Sequence, residues 1–468
     1  MREQIDTSPL LEALERLLAE GAHRDRRTLV SVTAEVDLDD PSAAVFASRL
    51  AGDRWFCWEQ PDRDDFAIAG LGSAQELVSR GAKRFTDVLS ESAAIARDRL
   101  AEEPPDLPAG AGPLWAGGFA FASDGGSAAH WSSFPPALLT LPELTLARVG
   151  GRTYVTLTGV GGAGADRDEL ARRLSVRLSS LRVDPLPLLD PHPTAETAIA
   201  SAAPPERFER AVADATVRIS AGELEKVVLA REVIVQAPTA HDPAAVFGAL
   251  REAFPSCFCF CWGTPEGAFV GASPELLIRR SGAGAATVAL AGSTRRSADP
   301  AVDDHLGEQL RRSPKDRSEQ QIVVRWIKRA LSPYSVWVEG ESEPGLVKVA
   351  NIQHLATPIH AQLTEPRSAV ELAGLLHPTP AVGGEPREPA LDLMTQLEGL
   401  DRGWYAGPVG WMDTAEDGEF CVAIRSALLR DRTAHVFAGN GIVADSEPGA
   451  ELAETEVKLG ALLPLLAG

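Results

Sequence analysis

Two stretches place acids at helical spacing. In SPKDRSEQQIVVRWIKRAL (residues 313–331), Asp316 and Glu319 lie three apart on a face that continues to Val323 and Trp326, with Ser313 as N-cap and Pro314 at the first helical position. In AELAETEVKL (residues 450–459), Glu451, Glu454 and Lys458 fall at i, i+3 and i+7, so two carboxylates and an ammonium share a face. Each pattern alone is ordinary on a solvated helix, where acids favour the first turn and Glu454 precedes Lys458 in the favourable i, i+4 order. A carboxylate pair in line with large apolar residues belongs instead at the rim of a core and needs a partner. Two such helices facing each other bring four carboxylates together. That group requires a cation, and a small number of oxygen ligands suits Mg²⁺ completed by water and substrate oxygens.

Three further charges are out of place for their settings. Lys226 heads the apolar run KVVLAREVIV, Glu275 follows Ser273 and Pro274 in AFVGASPELLIRR, and Arg425 interrupts FCVAIRSALLR. Singly, each reads as a strand-end charge reaching to water. Jointly they suggest a base, an acid and an anion clamp.

The elements that must position these residues follow from periodicity and punctuation. KVVLAREVIV, AFVGASPELLIRR, ATVALAGST, YAGPVGWMD, FCVAIRSALLR and AHVFAGNGIV are strand candidates, and helices fall at about 206–222, 302–331, 366–376 and 448–466. Many strands joined by hairpins, with helices gathered between groups of them, indicate an α+β fold with large antiparallel sheets. Residues 184–205, DPLPLLDPHPTAETAIASAAPP, form a Pro- and Ala-rich connection between an N-terminal part, residues 1–200, and a denser region, residues 201–468. GVGGAG (residues 159–164) matches a dinucleotide-binding fingerprint, but it follows a strand already paired in the hairpin around Gly150 and Gly151, which excludes the parallel βαβ unit such a site needs.

Composition narrows the function classes. The 468 residues are 44% hydrophobic and 24% charged, with a formal charge of −21, which argues against nucleic acid or an anionic membrane as a partner. An anionic substrate must therefore meet a local positive site. The N-terminal stretch MREQIDTSPLLEALERLLAEGAHRDRR is a polar amphipathic helix without an apolar signal segment, and no later stretch has the length of a membrane span; a soluble, cytoplasmic protein is expected. Of five cysteines, Cys257, Cys259 and Cys261 alternate with Phe258, Phe260 and Trp262, the period of a buried strand rather than the CxxC of a metal or redox site; Cys57 and Cys421 stand alone.

Taken in order, KVVLAR (226–231), GASPELL (271–277), LAGSTRR (290–296), SPKDRSEQQIV (313–323), QHLATP (353–358), LLHPTPAVGG (375–384), WYAGPVGW (404–411), AIRSALL (423–429) and GNGIVADSEPGAELAETEVKL (439–459) resemble the motifs of the chorismate-utilising enzymes, isochorismate synthases above all. WAGGFAF (115–121) extends the resemblance more weakly into the N-terminal half. The resemblance implies large antiparallel sheets packed face to face with flanking helices, a monomer, Mg²⁺ as cofactor and chorismate as substrate. It implies Lys226 as the general base that activates water and Glu275 as the acid that protonates the departing hydroxyl. Glu319 and Glu454 would bind Mg²⁺, with Asp316 and Glu451 acting through water or behind them. Arg425, Lys458 and the backbone at Gly439 would hold the side-chain carboxylate, and the ring carboxylate would lie near Gly292 and Ser293. His354, Ala381 and Tyr405 would be further substrate contacts. Asn440, between the two glycines of GNGIV, departs from the small residue usual there and is expected to alter the loop or add a polar contact.

The chemistry implied is water addition at ring C2 as the C4 hydroxyl leaves, feeding menaquinone or siderophore biosynthesis. One group must take a proton while another gives one. A lysine of ordinary pKa about 10.4 serves as base only where burial or nearby cations disfavour its charge, whereas a carboxyl acid needs its pKa raised. The alternatives are a salicylate synthase, an ammonia-using relative and a silent chorismate-binding protein. Lys226 stands where the anthranilate enzymes have a non-basic residue, LAGST lacks the lysine of the aminodeoxychorismate pattern, and no glutaminase partner is expected. Base, acid and both metal carboxylates speak against the silent reading. In salicylate-forming relatives a threonine stands at Ala381, so release of intact isochorismate is expected.

Overall fold

The alternation of Phe and Cys sets the architecture. Phe258–Thr264 is a strand buried on both faces. Phe258, Phe260 and Trp262 join one apolar cluster, while Cys257, Cys259 and Cys261 join another. Successive side chains of a strand point to opposite faces, so the sheet carrying this one has a core on each side. All five cysteines are buried and unpaired, in keeping with a packing role.

The computed structural model describes residues 8–162, 164–190, 196–350 and 352–467. The first seven residues of the expected N-terminal helix, Ala163 of the glycine-rich stretch and residues 191–195 of the Pro-rich connection lie outside the described residues. Among the described residues the sheet carrying Phe258–Thr264 has thirteen strands and a second sheet has ten. Pairing is antiparallel throughout, except where Thr28–Val36 runs parallel to Leu100–Glu102. Strands from either side of the connection share each sheet: Trp55–Gln60 pairs with Phe258–Thr264, and Leu114–Phe119 with Pro408–Asp413.

The two sheets meet face to face. Phe66 of the larger stacks on Trp411 of the smaller with ring centroids 6.2 Å apart, and Trp58 Nε1 donates to Glu419 Oε1 at 3.1 Å. Glu419 is buried and would be costly there uncompensated, but Arg63 and Arg279 each reach it at 2.7 Å. On its other face the larger sheet is covered by the helices Ser8–Gly21, Arg167–Ser179 and Pro243–Ala253, whose Leu14, Leu174 and Phe247 pack with the cysteines. Pro314–Leu331 and Ala369–Leu376 pack on the smaller sheet. Among the described residues no helix is long and apolar enough to cross a membrane.

Several expected elements are divided. AFVGASPELLIRR and FCVAIRSALLR, each read as one strand, are two apiece: Gly267–Ser273 with Leu276–Ser281, and Gly418–Val422 with Ser426–Arg430. The run at 302–331 is two helices, Pro300–Arg312 and Pro314–Leu331, because Pro314 cannot continue the first and Ser313 caps the second. The run at 448–466 likewise breaks after Leu459. Gly159–Gly161 lie in the strand Arg152–Gly161, antiparallel to Thr28–Val36, so the glycine-rich stretch is not a βαβ turn.

Phe260 is wholly buried between Trp262 and Phe269. Phe260→Ala should lower the unfolding free energy by about 3–5 kcal/mol, read from urea denaturation. A loss below about 1 kcal/mol would mean that the inter-sheet face of this strand is not core.

Candidate active site

Glu275 and Arg425 sit where the chain changes sheet. Gly267–Ser273 belongs to the larger sheet and Leu276–Ser281 to the smaller, with Pro274 and Glu275 making the step. Gly418–Val422 and Ser426–Arg430 step the other way through Ala423, Ile424 and Arg425. The crossings are tied together: Val422 N donates to Glu275 O at 3.0 Å, Ser273 Oγ to Val422 O at 2.6 Å, and Ala272 N to Arg425 O at 3.1 Å. Arg425 has φ 51°, a left-handed conformation that costs a bulky residue energy and that clusters at functional sites. Both side chains are buried. Burial pushes the Glu275 carboxyl up to about 8, although the charges of Lys226, Arg425 and Lys458 oppose the rise. At neutral pH Glu275 therefore holds a proton.

These residues open on a concave cleft. Its wall includes Asp316 and Glu319 from Pro314–Leu331, and Glu451, Glu454 and Lys458 from Pro448–Leu459. Both acid-bearing helix faces line this one cleft. Ser313 Oγ accepts from Asp316 N at 3.3 Å, which fixes the start of the first of these helices. Gly292 and Ser293 lie at a bulge in Gly284–Arg295; at Gly292, φ is +73° and an added Cβ would stand 2.9 Å from Asp316 Cβ, so only glycine fits.

Three lysines offset the acids pairwise. Lys226 Nζ reaches Glu319 Oε1 at 2.6 Å, Lys315 Nζ reaches Glu451 Oε1 at 2.9 Å, and Lys458 Nζ reaches Glu454 Oε1 at 2.8 Å. Burial alone would raise the Glu454 carboxyl, but Lys458, the Ser293 hydroxyl donating at 2.6 Å and Lys315 hold it down at about 2. Asp316 goes the other way: burial, with Glu319 and Glu454 nearby, lifts its carboxyl above the usual range despite Ser313 and Lys315. The cleft thus carries a charged carboxylate, Glu454, and a proton-holding one, Glu275.

The remaining expected residues are placed as follows. His354 pairs with Ser293 across neighbouring strands; its Nε2 lies 3.2 Å from Arg425 Nη2 and its Nδ1 3.3 Å from Gly292 O. Burial, with Arg425 and Lys458 adding to it, drops its pKa to about 3, so the ring is neutral. A guanidinium can only donate, so Nε2 accepts and the ring proton sits on Nδ1. Tyr405 is buried, its phenol pushed up to about 12, and its ring stacks on Phe437 at 5.1 Å. Gly439 passes close to it, since an added Cβ would lie 3.2 Å from Tyr405 Oη. Ala381 lines the cleft in a loop held by Arg402, which donates to Val382 O and Val228 O at 3.0 Å each and pairs with Glu398. Lys226 stands apart: it is wholly buried behind the wall, against Glu319 and Gly441, where an added Cβ would meet Lys226 Cε at 2.6 Å.

Sequence reasoning passed over Lys315 and Arg402. Lys315 was visible as the neighbour of Asp316, but nothing in spacing shows that it crosses to Glu451; Arg402 had no local signal at all. Among the described residues one group, His130, Glu232 and His435, away from the cleft, brings three possible metal ligand atoms within 4.8 Å of one another. Its two imidazoles stack at 4.3 Å with planes only 18° apart, so no point between them lies in both ring planes as a shared ion requires.

A family model described as "Chorismate binding enzyme" matches residues 12–467, and the chain belongs to that family. Among its relatives, the salicylate biosynthesis isochorismate synthase of Pseudomonas aeruginosa is 39% identical over 97% of this chain and 93% of that protein. Isochorismate synthase MenF of Bacillus subtilis is 33% identical over 94% of each. The solved structure of MenF, the menaquinone-specific isochorismate synthase from Escherichia coli, superposes with a TM-score of 0.79 at 27% identity, covering 98% of this chain and 99% of that one.

The raised Glu275 carboxyl has a consequence for stability. The folded protein holds this proton and the unfolded chain releases it at ordinary carboxylate pH, so the stabilisation is complete below about pH 4.5 and is lost as pH rises to about 8. Glu275→Gln has no such proton. The stability of the variant relative to the parent should rise between pH 5 and pH 9, as measured by urea unfolding. A relative stability that is the same at both pH values would show that Glu275 is ionised throughout.

Proposed function

We propose that this protein is an isochorismate synthase, adding water at C2 of chorismate as the C4 hydroxyl departs. The observation that carries the reading is a wholly buried lysine, Lys226, close enough to act electrostatically on a buried, proton-holding carboxyl, Glu275, beside a cleft with cations for an anionic substrate. Glu275 is the acid: its proton is available to the leaving hydroxyl at neutral pH. Lys226 is the base. Its Nζ now donates to Glu319; once Glu319 is engaged elsewhere and the ammonium has passed a proton to solvent, the free amine takes the proton of the attacking water. Arg425 and Lys458 hold the side-chain carboxylate, and the ring carboxylate lies toward Gly292 and Ser293. His354, neutral and itself in the cleft wall, accepts from the Arg425 guanidinium and holds it in place.

The donor set fits Mg²⁺. Glu319 and Glu454 offer hard oxygens from two helices, and one or two carboxylates completed by water and substrate suit this ion. When bound it supplies charge neutralisation and orientation for a dianion. Asp316 and Glu451, on the same two helices, would hold water bound to the ion. Ala381 offers a methyl and no hydroxyl at the substrate, and its loop is held by Arg402, so the site favours release of isochorismate over loss of its enolpyruvyl group.

Incubating the protein with chorismate and Mg²⁺ and identifying the products tests the reading. A mixture of chorismate and isochorismate is expected; stoichiometric pyruvate would make the protein a salicylate synthase instead. Lys226→Ala should lower turnover by about 10²- to 10⁴-fold while the protein stays folded by circular dichroism, and near-normal turnover would remove Lys226 from the base role. Ala381→Thr should introduce pyruvate release in a coupled dehydrogenase assay, because small displacements of a bound substrate change rates steeply. Its absence would show that this position does not separate the two reactions.

A further inference from the structure

Lys458 spends all its donors inside the protein. Its ammonium reaches Gly439 O at 3.0 Å, Asn440 Oδ1 at 2.7 Å and Glu454 Oε1 at 2.8 Å. A lysine has three N–H bonds, so none is left for a substrate carboxylate until one acceptor gives way. The three acceptors are not equivalent. Gly439 O belongs to the strand Thr433–Ile442, whereas a third of the Glu454 side chain's surface is open and its carboxylate faces the cleft.

Asn440 is anchored from its far side. It is 1% exposed, and its Nδ2 donates to Glu451 O at 2.7 Å and to Glu451 Oε2 at 3.0 Å. Its two neighbours therefore dictate the orientation of the amide: oxygen to the ammonium, nitrogen to the carboxylate. Glu451 in turn has both oxygens committed, Oε1 to Lys315 and Oε2 to Asn440. A neutral side chain thus sits between a cation and an anion and holds both.

We infer that Asn440 is a positioning residue: it keeps Lys458 aimed at the substrate carboxylate once Glu454 turns to Mg²⁺. The inference rests on the functional reading above. With Asn440 in place, Lys458 can release Glu454 and keep two acceptors. Without it, Lys458 leans on Glu454, so metal and ammonium compete for one carboxylate.

The test combines Mg²⁺ titration calorimetry on metal-free protein with steady-state kinetics. Asn440→Ala should weaken Mg²⁺ binding in the absence of substrate by about threefold or more and raise KM for chorismate about tenfold, with kcat within about twofold. In a Lys458→Met background the same substitution should leave both quantities unchanged within about twofold. If Asn440→Ala does not fold, Asn440→Asp carries the test, since it keeps an acceptor for Lys458 and loses the donor to Glu451; its KM should stay within about threefold of the parent's. Failure of the parent to form isochorismate would overturn the functional reading and this inference with it. An active parent would overturn the inference alone if Asn440→Ala matches it in KM and Mg²⁺ affinity, if the effect persists undiminished with Lys458→Met, or if Asn440→Asp shows a KM as high as that of Lys458→Met.

Discussion

The three hydrogen bonds that tie the two sheet crossings together govern the rest of the site. Ser273 to Val422, Val422 to Glu275 and Ala272 to Arg425 hold two chain segments at the point where each leaves one sheet for the other. A strand in mid-sheet sends alternate side chains to its two faces, both of them packed here. A residue between two strands escapes that alternation, so a carboxyl and a guanidinium can enter the cleft without displacing core side chains. The left-handed backbone of Arg425 is a local cost of that arrangement.

Around this seam the electrostatics are settled by pairing. Buried carboxylates are tolerable where a cation and further donors meet them. Glu319, Glu451 and Glu454 each have a lysine, and Glu454 and Glu451 have an additional neutral donor in Ser293 and Asn440. Glu275 has no ion-pair partner within contact range among the described residues and is protonated instead. A single set of principles thus yields a poised acid and a charged cage within one cleft.

Much of this was legible in the sequence, for identifiable reasons. The acid faces of Pro314–Leu331 and Pro448–Leu459 follow from helical spacing, and Ser313 with Pro314 marks a helix start that the structure keeps. The both-faces burial of Phe258–Thr264 follows from strict alternation. The split of AFVGASPELLIRR was not read, although Pro274 is the residue that ends its first strand, because hydrophobicity stays continuous through the crossing. FCVAIRSALLR has no proline or glycine at its break, so only the tertiary pairing reveals it. Lys226 was correctly singled out as anomalous, but its seat behind Glu319 rather than in the wall depends on Gly441, a strand neighbour remote in sequence. The same holds for Arg402, whose carbonyl partners Val228 and Val382 come from distant segments.

The cationic groups of the cleft belong to a chain whose formal charge is −21. A dianion diffusing toward it climbs an unfavourable long-range potential and is attracted only near the mouth, where Arg425 and Lys458 are close. At physiological ionic strength the screening length is about 8 Å, shorter than the protein's radius, so most of the repulsion is already flattened before the mouth is reached. Encounter with substrate should therefore quicken as salt is added from very dilute buffer and slow again only when the local cations themselves are screened. An inverted salt dependence at low ionic strength is the kinetic signature of a small positive trap set in a negative body.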